Sequence, residues 1–219
     1  MFGHHDDLMY GRTWYGTAGG SDTKAVCGDY PAVYSFDLAE HIDDRYAADP
    51  DAQALRLRCC KEAYDRGMVL TSCIHIDNPL NGGDSWDNSS NRVVAEILTE
   101  GSATNRKFKE WLDRLADIAH NLRGSDGKLI PVIFRPFHEH TQTWSWWGAS
   151  CTTTEEFVNL WKFTVKYLRD TKGVHNFIYA ISPQMDSAKT VDDFYFRWPG
   201  DEWVDFVGMD CYQGINNAV

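Results

Sequence analysis

Nowhere does the chain run to about 18 consecutive apolar residues, so no membrane-spanning helix is expected. Its opening, MFGHHDDLMY, lacks the charged-then-apolar pattern of a signal peptide, so either a leader has been removed or the chain begins inside a longer gene product. Basic charge is scarce: 21 Lys and Arg stand against 32 Asp and Glu, giving a formal net charge of −11, and no basic run occurs. With nothing to offset repulsion from phosphate, no nucleic-acid or anionic-membrane partner is expected, and a neutral substrate fits better. Neither G-x-G-x-x-G nor a P-loop is present, and GTAGGSD near Gly16 is too loosely spaced to stand in for them. The six cysteines form no C-x-x-C pair and no zinc spacing with histidine, so no metal site and no cofactor are expected. An even count is compatible with disulfides in an exported protein and equally with buried free thiols, and no pairing can be read.

What is present suits a single globular domain: 219 residues, 43% hydrophobic, without linker, low-complexity tract or repeat. Nine tryptophans, ten tyrosines and eleven phenylalanines exceed what a core usually asks for, and flat rings with a polar edge suit stacking on sugar faces. Short runs dense in β-branched and aromatic residues read as buried parallel strands: PAVYSFDL, GMVLTSCIHI, KLIPVIFRPF, NFIYAIS and VDFVGMDCY. Between them lie amphipathic segments. In NRKFKEWLDRLADIAHNLRG the residues Phe108, Trp111, Leu112, Leu115, Ile118, Ala119 and Leu122 step by three and four. In TTTEEFVNLWKFTVKYLRDTKG, Thr153 and Glu156 have capping-box spacing ahead of the stripe Phe157, Leu160, Trp161, Thr164, Val165 and Leu168. DAQALRLRCCKEAYDRG repeats the logic with Leu55, Cys59 and Ala63. Strand and helix in alternation mean a parallel α/β fold, and without a phosphate loop the (β/α)8 TIM barrel leads over the doubly wound sheet.

Barrels do their chemistry at the C-terminal ends of strands, and polar residues gather there: His75 with Asp77 and Asn78, His138 with Glu139, Asp210 with Tyr212. Glu139 is followed by Trp144, Trp146 and Trp147. A carboxyl among rings, shielded from water, suits a general acid; the plainer alternative is a carboxylate salt-bridged to Arg135. HEH at His138 to His140 lacks the metalloprotease spacing H-E-x-x-H.

RPFHEHTQTWSWWG resembles the acid/base segment of glycoside hydrolase family 26, the β-mannanase family, in which Arg-Pro-x-His-Glu closes the fourth barrel strand and a Trp-rich loop follows. FGHHDD, SCIHIDNPLNGGDSWD and WPGDEWVDFVGMDCY match in the family's order. The resemblance implies a (β/α)8 barrel that hydrolyses internal β-1,4 bonds of mannan, galactomannan or glucomannan with retention, one carboxyl acting as acid/base and another as nucleophile. It implies Glu139 as acid/base and His75, Trp86, Arg135, His138, Trp144, Trp147, Asp210 and Tyr212 as substrate-binding residues. A secreted, periplasmic or cell-surface location is also implied. Thr141 and Gln142 replace the family's Asn-Gly, and Ile74 replaces its Trp, departures that bear on specificity rather than mechanism. Same-fold alternatives are a mixed-linkage β-glucanase (lichenase) or a β-1,3-xylanase; a non-catalytic carbohydrate-binding protein is the alternative of another class.

The family's nucleophile closes the seventh strand, whereas VDFVGMDCY counts as the sixth once MFGHH is taken as the first. Residues 1–219 are therefore expected to hold the first six βα units of the barrel, with strands seven and eight and the nucleophile outside the chain. Asp210 and Glu202 are poor substitutes, the first matching a substrate-binding position and the second lying in a polar loop. His138 and Glu139 would face opposite sides of a regular strand, so a strand that ends or bulges near His138 is expected.

Overall fold

The computed structural model describes residues 1–44 and 49–212. The five strand-like runs and MFGHH all form strands: β1 (Gly3–His5), β2 (Val33–Asp37), β3 (Val69–Cys73), β4 (Val132–Arg135), β5 (Phe177–Ile181) and β6 (Phe206–Val207), although β6, expected to be buried, is exposed, as is β1. They make a six-stranded sheet in the order β1 to β6, with β1–β2, β2–β3 and β5–β6 paired in parallel. The helices are α1 (Asp22–Cys27), α2 (Ala39–Ile42), α3 (Pro50–Asp65), α4 (Val93–Leu98), α5 (Ala103–Asn121), α6 (Thr154–Lys166) and α7 (Val191–Phe194). Strands in sequence order with helices between them are the alternation of a (β/α) barrel. Among the described residues no helix is long and apolar enough to cross a membrane.

The long helices follow their sequence stripes. Along α5, Phe108, Trp111, Leu112, Leu115 and Ala119 are buried and Ile118 is half-buried. Removing each large side chain from water contributes about 1.5–3 kcal/mol. Helix α6 opens on the expected capping box: the Glu156 amide donates to Thr153 Oγ1 at 3.2 Å, and the Thr153 amide donates to Glu156 Oε2 at 2.8 Å. Its last turn passes into a π-helical segment, Tyr167–Thr171, before Gly173 with φ +67°. The buried face of α3 is Arg56, Cys59, Cys60 and Ala63, and Leu55 is only half-buried. All six cysteines are free, with Cys27 and Cys211 exposed and the others buried.

Two compact units divide the chain. The first comprises residues 1–76, 110–134 and 167–178. Its core is built on β2, where Tyr34 and Phe36 are fully buried on one side of the pleat. Arg56 is buried among them because acids take its charge: it donates to Asp6 at 2.7 Å and also to Glu40. Asp6 reaches it from a left-handed backbone with φ +52°. The Asn176 amide donates to the carbonyls of Ala119 at 3.1 Å and Ile130 at 3.0 Å, satisfying groups left open by the end of α5 and the approach to β4.

The second unit comprises residues 77–109, 135–166 and the described residues from 179 onward. A buried arginine organises it too: Arg197 donates to His140 O at 3.2 Å and to Thr152 Oγ1 at 2.9 Å. His140 stacks on Phe157 with ring centroids 4.4 Å apart, and neither ring nitrogen has a hydrogen-bond partner among the described residues. Burial, aided by the Arg197 charge, pushes this imidazole down to about 3. A depressed histidine favours the fold only while neutral, so its contribution is full above the unfolded value of about 6.5 and is lost as pH falls from there toward about 3. His140→Phe should therefore flatten the pH dependence of urea stability between pH 6.5 and 4 without lowering stability at neutral pH. An unchanged slope would contradict the burial argument.

Candidate active site

Strand β4 ends at Arg135 because Pro136 has no amide hydrogen to continue the ladder. The break expected near His138 thus comes earlier, and the chain turns rather than bulges. Phe137 and Glu139 have φ of +51° and +52°, a left-handed conformation that non-glycine residues adopt at a cost. This alternation abolishes the facing rule of a strand. Phe137 points into the core with its ring 6.1 Å from both Trp146 and Trp147. His138 is buried as well, 5.6 Å from Trp144 and 5.9 Å from Trp147. The turn is held from the end of β5, where Ser182 O accepts the Glu139 amide at 2.9 Å.

Glu139 is 5% exposed, and its Oε2 accepts the indole N–H of Trp144 at 2.7 Å. Tyr212 is 75% exposed, yet a hydrogen bond with Glu139, reinforced by partial burial and the negative charges nearby, pushes its phenol up to about 12. It remains a donor at neutral pH. The salt bridge considered between Arg135 and Glu139 does not form. Arg135 pairs with Asp210 instead, Nη1 lying 2.8 Å from both carboxylate oxygens, and Ser182 donates to Asp210 Oδ2 at 2.6 Å. Burial raises the Asp210 carboxyl above its ordinary value despite the opposing Arg135 charge. With both oxygens engaged, Asp210 is placed to orient Arg135, not to attack a substrate.

Trp144 lies against Trp86, ring centroids 5.0 Å apart, and Trp86 is 58% exposed. Two loops are tied to make this pair: Asn88 Nδ2 donates to Thr143 O at 2.8 Å, and the Trp146 amide donates to Ser85 O at 3.4 Å. Trp147, expected to touch substrate, is fully buried, with its indole N–H on His138 O at 2.9 Å. It presents no face to solvent and supports the turn from beneath. The loop closes at Gly148, where a Cβ would stand 2.5 Å from Gln142 O and 3.1 Å from Ser145 O. Both carbonyls are fixed by the amides of Ala149 and Gly148. Gly148→Ala should cost about 1–3 kcal/mol, read as a lower urea midpoint at unchanged m-value. An unaltered midpoint would mean that the loop has slack.

His75 lies in the first unit. Its Nδ1 is 2.6 Å from Asp37 Oδ2, and its amide donates to the same carboxylate at 3.3 Å. Burial works to raise the Asp37 carboxyl, but the hydrogen bond and charge of His75, with the amides of Ala39 and His75, hold it below the ordinary value. Glu139, His138, Arg135, Trp144, Trp86, Trp147, Asp210 and Tyr212 all belong to the second unit. Ser182 was missed. It is the last residue of the NFIYAIS run, one past the end of β5, and the strand-end rule applied to β5 would have found it.

The sequence profile of glycosyl hydrolase family 26 matches residues 1–219. A mannan endo-1,4-β-mannosidase of Bifidobacterium adolescentis is 36% identical over 207 residues, which are 92% of this chain and 20% of that protein. The structure of a GH26 β-mannanase from Bacteroides ovatus superposes with a TM-score of 0.89 at 43% identity, covering 97% of this chain and 61% of that one. The catalytic domain of a Bacillus GH26 endo-β-1,4-mannanase gives 0.89 at 34% identity, covering 99% and 58%. The chain thus spans less than two thirds of the length of these relatives.

Proposed function

The chain belongs to glycosyl hydrolase family 26, and from that premise we propose that the protein containing it is a retaining endo-β-1,4-mannanase with Glu139 as general acid/base. The observation that carries the reading is the placement of Glu139: a buried carboxyl on a strained turn at the end of β4, with its Oε2 on the Trp144 N–H and the Trp86–Trp144 pair beside it. Backbone strain is retained where surrounding structure enforces it, and here it aims a carboxyl. In the glycosylation step Glu139 protonates the leaving oxygen while a second carboxylate attacks the anomeric carbon; Glu139 then takes a proton from the water that releases the sugar. Trp86 and Trp144 offer aromatic surface to a sugar ring, and Tyr212 and Arg135 offer hydrogen-bond donors. His138 and Trp147 hold the turn. A polymeric mannan substrate places the protein outside the cytoplasm, secreted, periplasmic or on the cell surface.

The test is product analysis with the full-length protein on linear mannan, galactomannan, glucomannan, mixed-linkage β-glucan and β-1,3-xylan. Oligosaccharides of mixed length from the mannans alone are expected. Release from the glucan or xylan in preference would reassign the substrate within the same fold. Binding without release from any polymer would overturn the enzyme reading in favour of a carbohydrate-binding protein.

A further inference from the structure

Three side chains with metal-ligating atoms converge where β2 and β3 end. The parallel register sets Asp37, the last residue of β2, opposite Cys73, the last of β3. His75 follows Cys73 by two positions, and its ring nitrogen Nδ1 comes to the same place. Asp37 Oδ2 lies 2.6 Å from His75 Nδ1 and 3.7 Å from Cys73 Sγ, and Cys73 Sγ lies 3.9 Å from His75 Nδ1. All three atoms fall within 4.8 Å of one another. No linear spacing announces the group, because its members come from two strands.

We propose that Asp37, Cys73 and His75 form a binding site for a divalent cation of the zinc class, with one position left to water. A tetrahedral zinc with bonds of about 2.0–2.3 Å needs ligand atoms roughly 3.4–3.6 Å apart. The two sulfur edges already match to within a few tenths of an ångström, and the Asp37–His75 edge must open by about 0.8 Å, a rotation of carboxylate or imidazole. The donor set, one thiolate, one carboxylate and one imidazole, is that of a borderline cation rather than of calcium or magnesium. Charge closes as well: thiolate and carboxylate together neutralise a dication, so the buried complex carries no net charge. On binding, the thiol proton and the Nδ1 proton that His75 holds toward Asp37 both leave to solvent, and the imidazole, protonated on Nε2, donates its Nδ1 lone pair. The His75 side chain is 34% exposed, which gives the ion a way in. All three ligands belong to the first unit.

The test is a cobalt(II) titration of the reduced full-length protein in a Cys27→Ser, Cys211→Ser background, which removes the two exposed thiols of this chain. Expected are a thiolate-to-cobalt charge-transfer band in the near ultraviolet and the intense visible bands of tetrahedral cobalt, saturating at one ion per chain and reversed by zinc. Adding Cys73→Ser should abolish the charge-transfer band, and adding His75→Gln should weaken affinity at least tenfold, with the near-ultraviolet circular dichroism of each confirming a retained fold. Absence of the band in the background protein, its persistence after Cys73→Ser, or unchanged affinity after His75→Gln would each overturn the site.

Discussion

Replacing Glu139 by Gln in the full-length protein should lower turnover of mannan by on the order of 10²- to 10⁴-fold, the usual worth of a positioned general acid. The amide keeps the shape of the side chain and can still accept the Trp144 N–H at Oε1, so the loss is of the proton and not of the turn. An aryl glycoside with a good leaving group needs no protonation, and its glycosylation step should be largely spared. Equal losses on the polymer and the aryl glycoside would remove Glu139 from the acid role.

Trp144→Ala should weaken binding and lower kcat together, since it removes both the indole face and the N–H that Glu139 Oε2 accepts. Losing an indole face forfeits about 1.5–3 kcal/mol of apolar contact, which corresponds to roughly a 10- to 100-fold rise in KM for mannan. Trp144→Phe separates the two functions of this residue, because it keeps a ring beside Trp86 but deletes the N–H that Glu139 Oε2 accepts. Here kcat should fall while KM stays nearly unchanged. A KM rise as large as that of Trp144→Ala, at unchanged kcat, would show that the indole matters only as a platform.

What the sequence disclosed and what it hid follow a physical division. Strand runs such as PAVYSFDL were legible because burial on a parallel sheet demands nearly continuous apolar, β-branched and aromatic residues. The stripe of α5 and the Thr153–Glu156 box were legible because helix geometry imposes their spacing. Arg56 and Arg197 were not, since a charged residue in a helix or loop reads as surface until acids and carbonyls from distant segments are found around it. Nor could local pattern separate Trp86 from Trp147: identical side chains, one exposed and one buried, are sorted only by how the two loops are tied through Asn88 and Ser85. The segment from Arg135 to Glu139 was recognised as a motif. Its left-handed residues at Phe137 and Glu139 were invisible, because tertiary contacts such as the Glu139 amide on Ser182 O impose a conformation that no propensity favours.

The central assignment is tested most directly by azide rescue of Glu139→Gly in the full-length protein. Glycine is the apt replacement, since φ of +52° costs it nothing. With an activated aryl β-mannoside the variant still forms the glycosyl-enzyme, but it has lost the base that activates water and should accumulate that intermediate. Azide needs no base and should attack it, restoring turnover and giving a β-mannosyl azide, the product of two inversions at the anomeric carbon. Formation of the α-azide would make Glu139 the nucleophile, and no rescue by azide would contradict its assignment as acid/base.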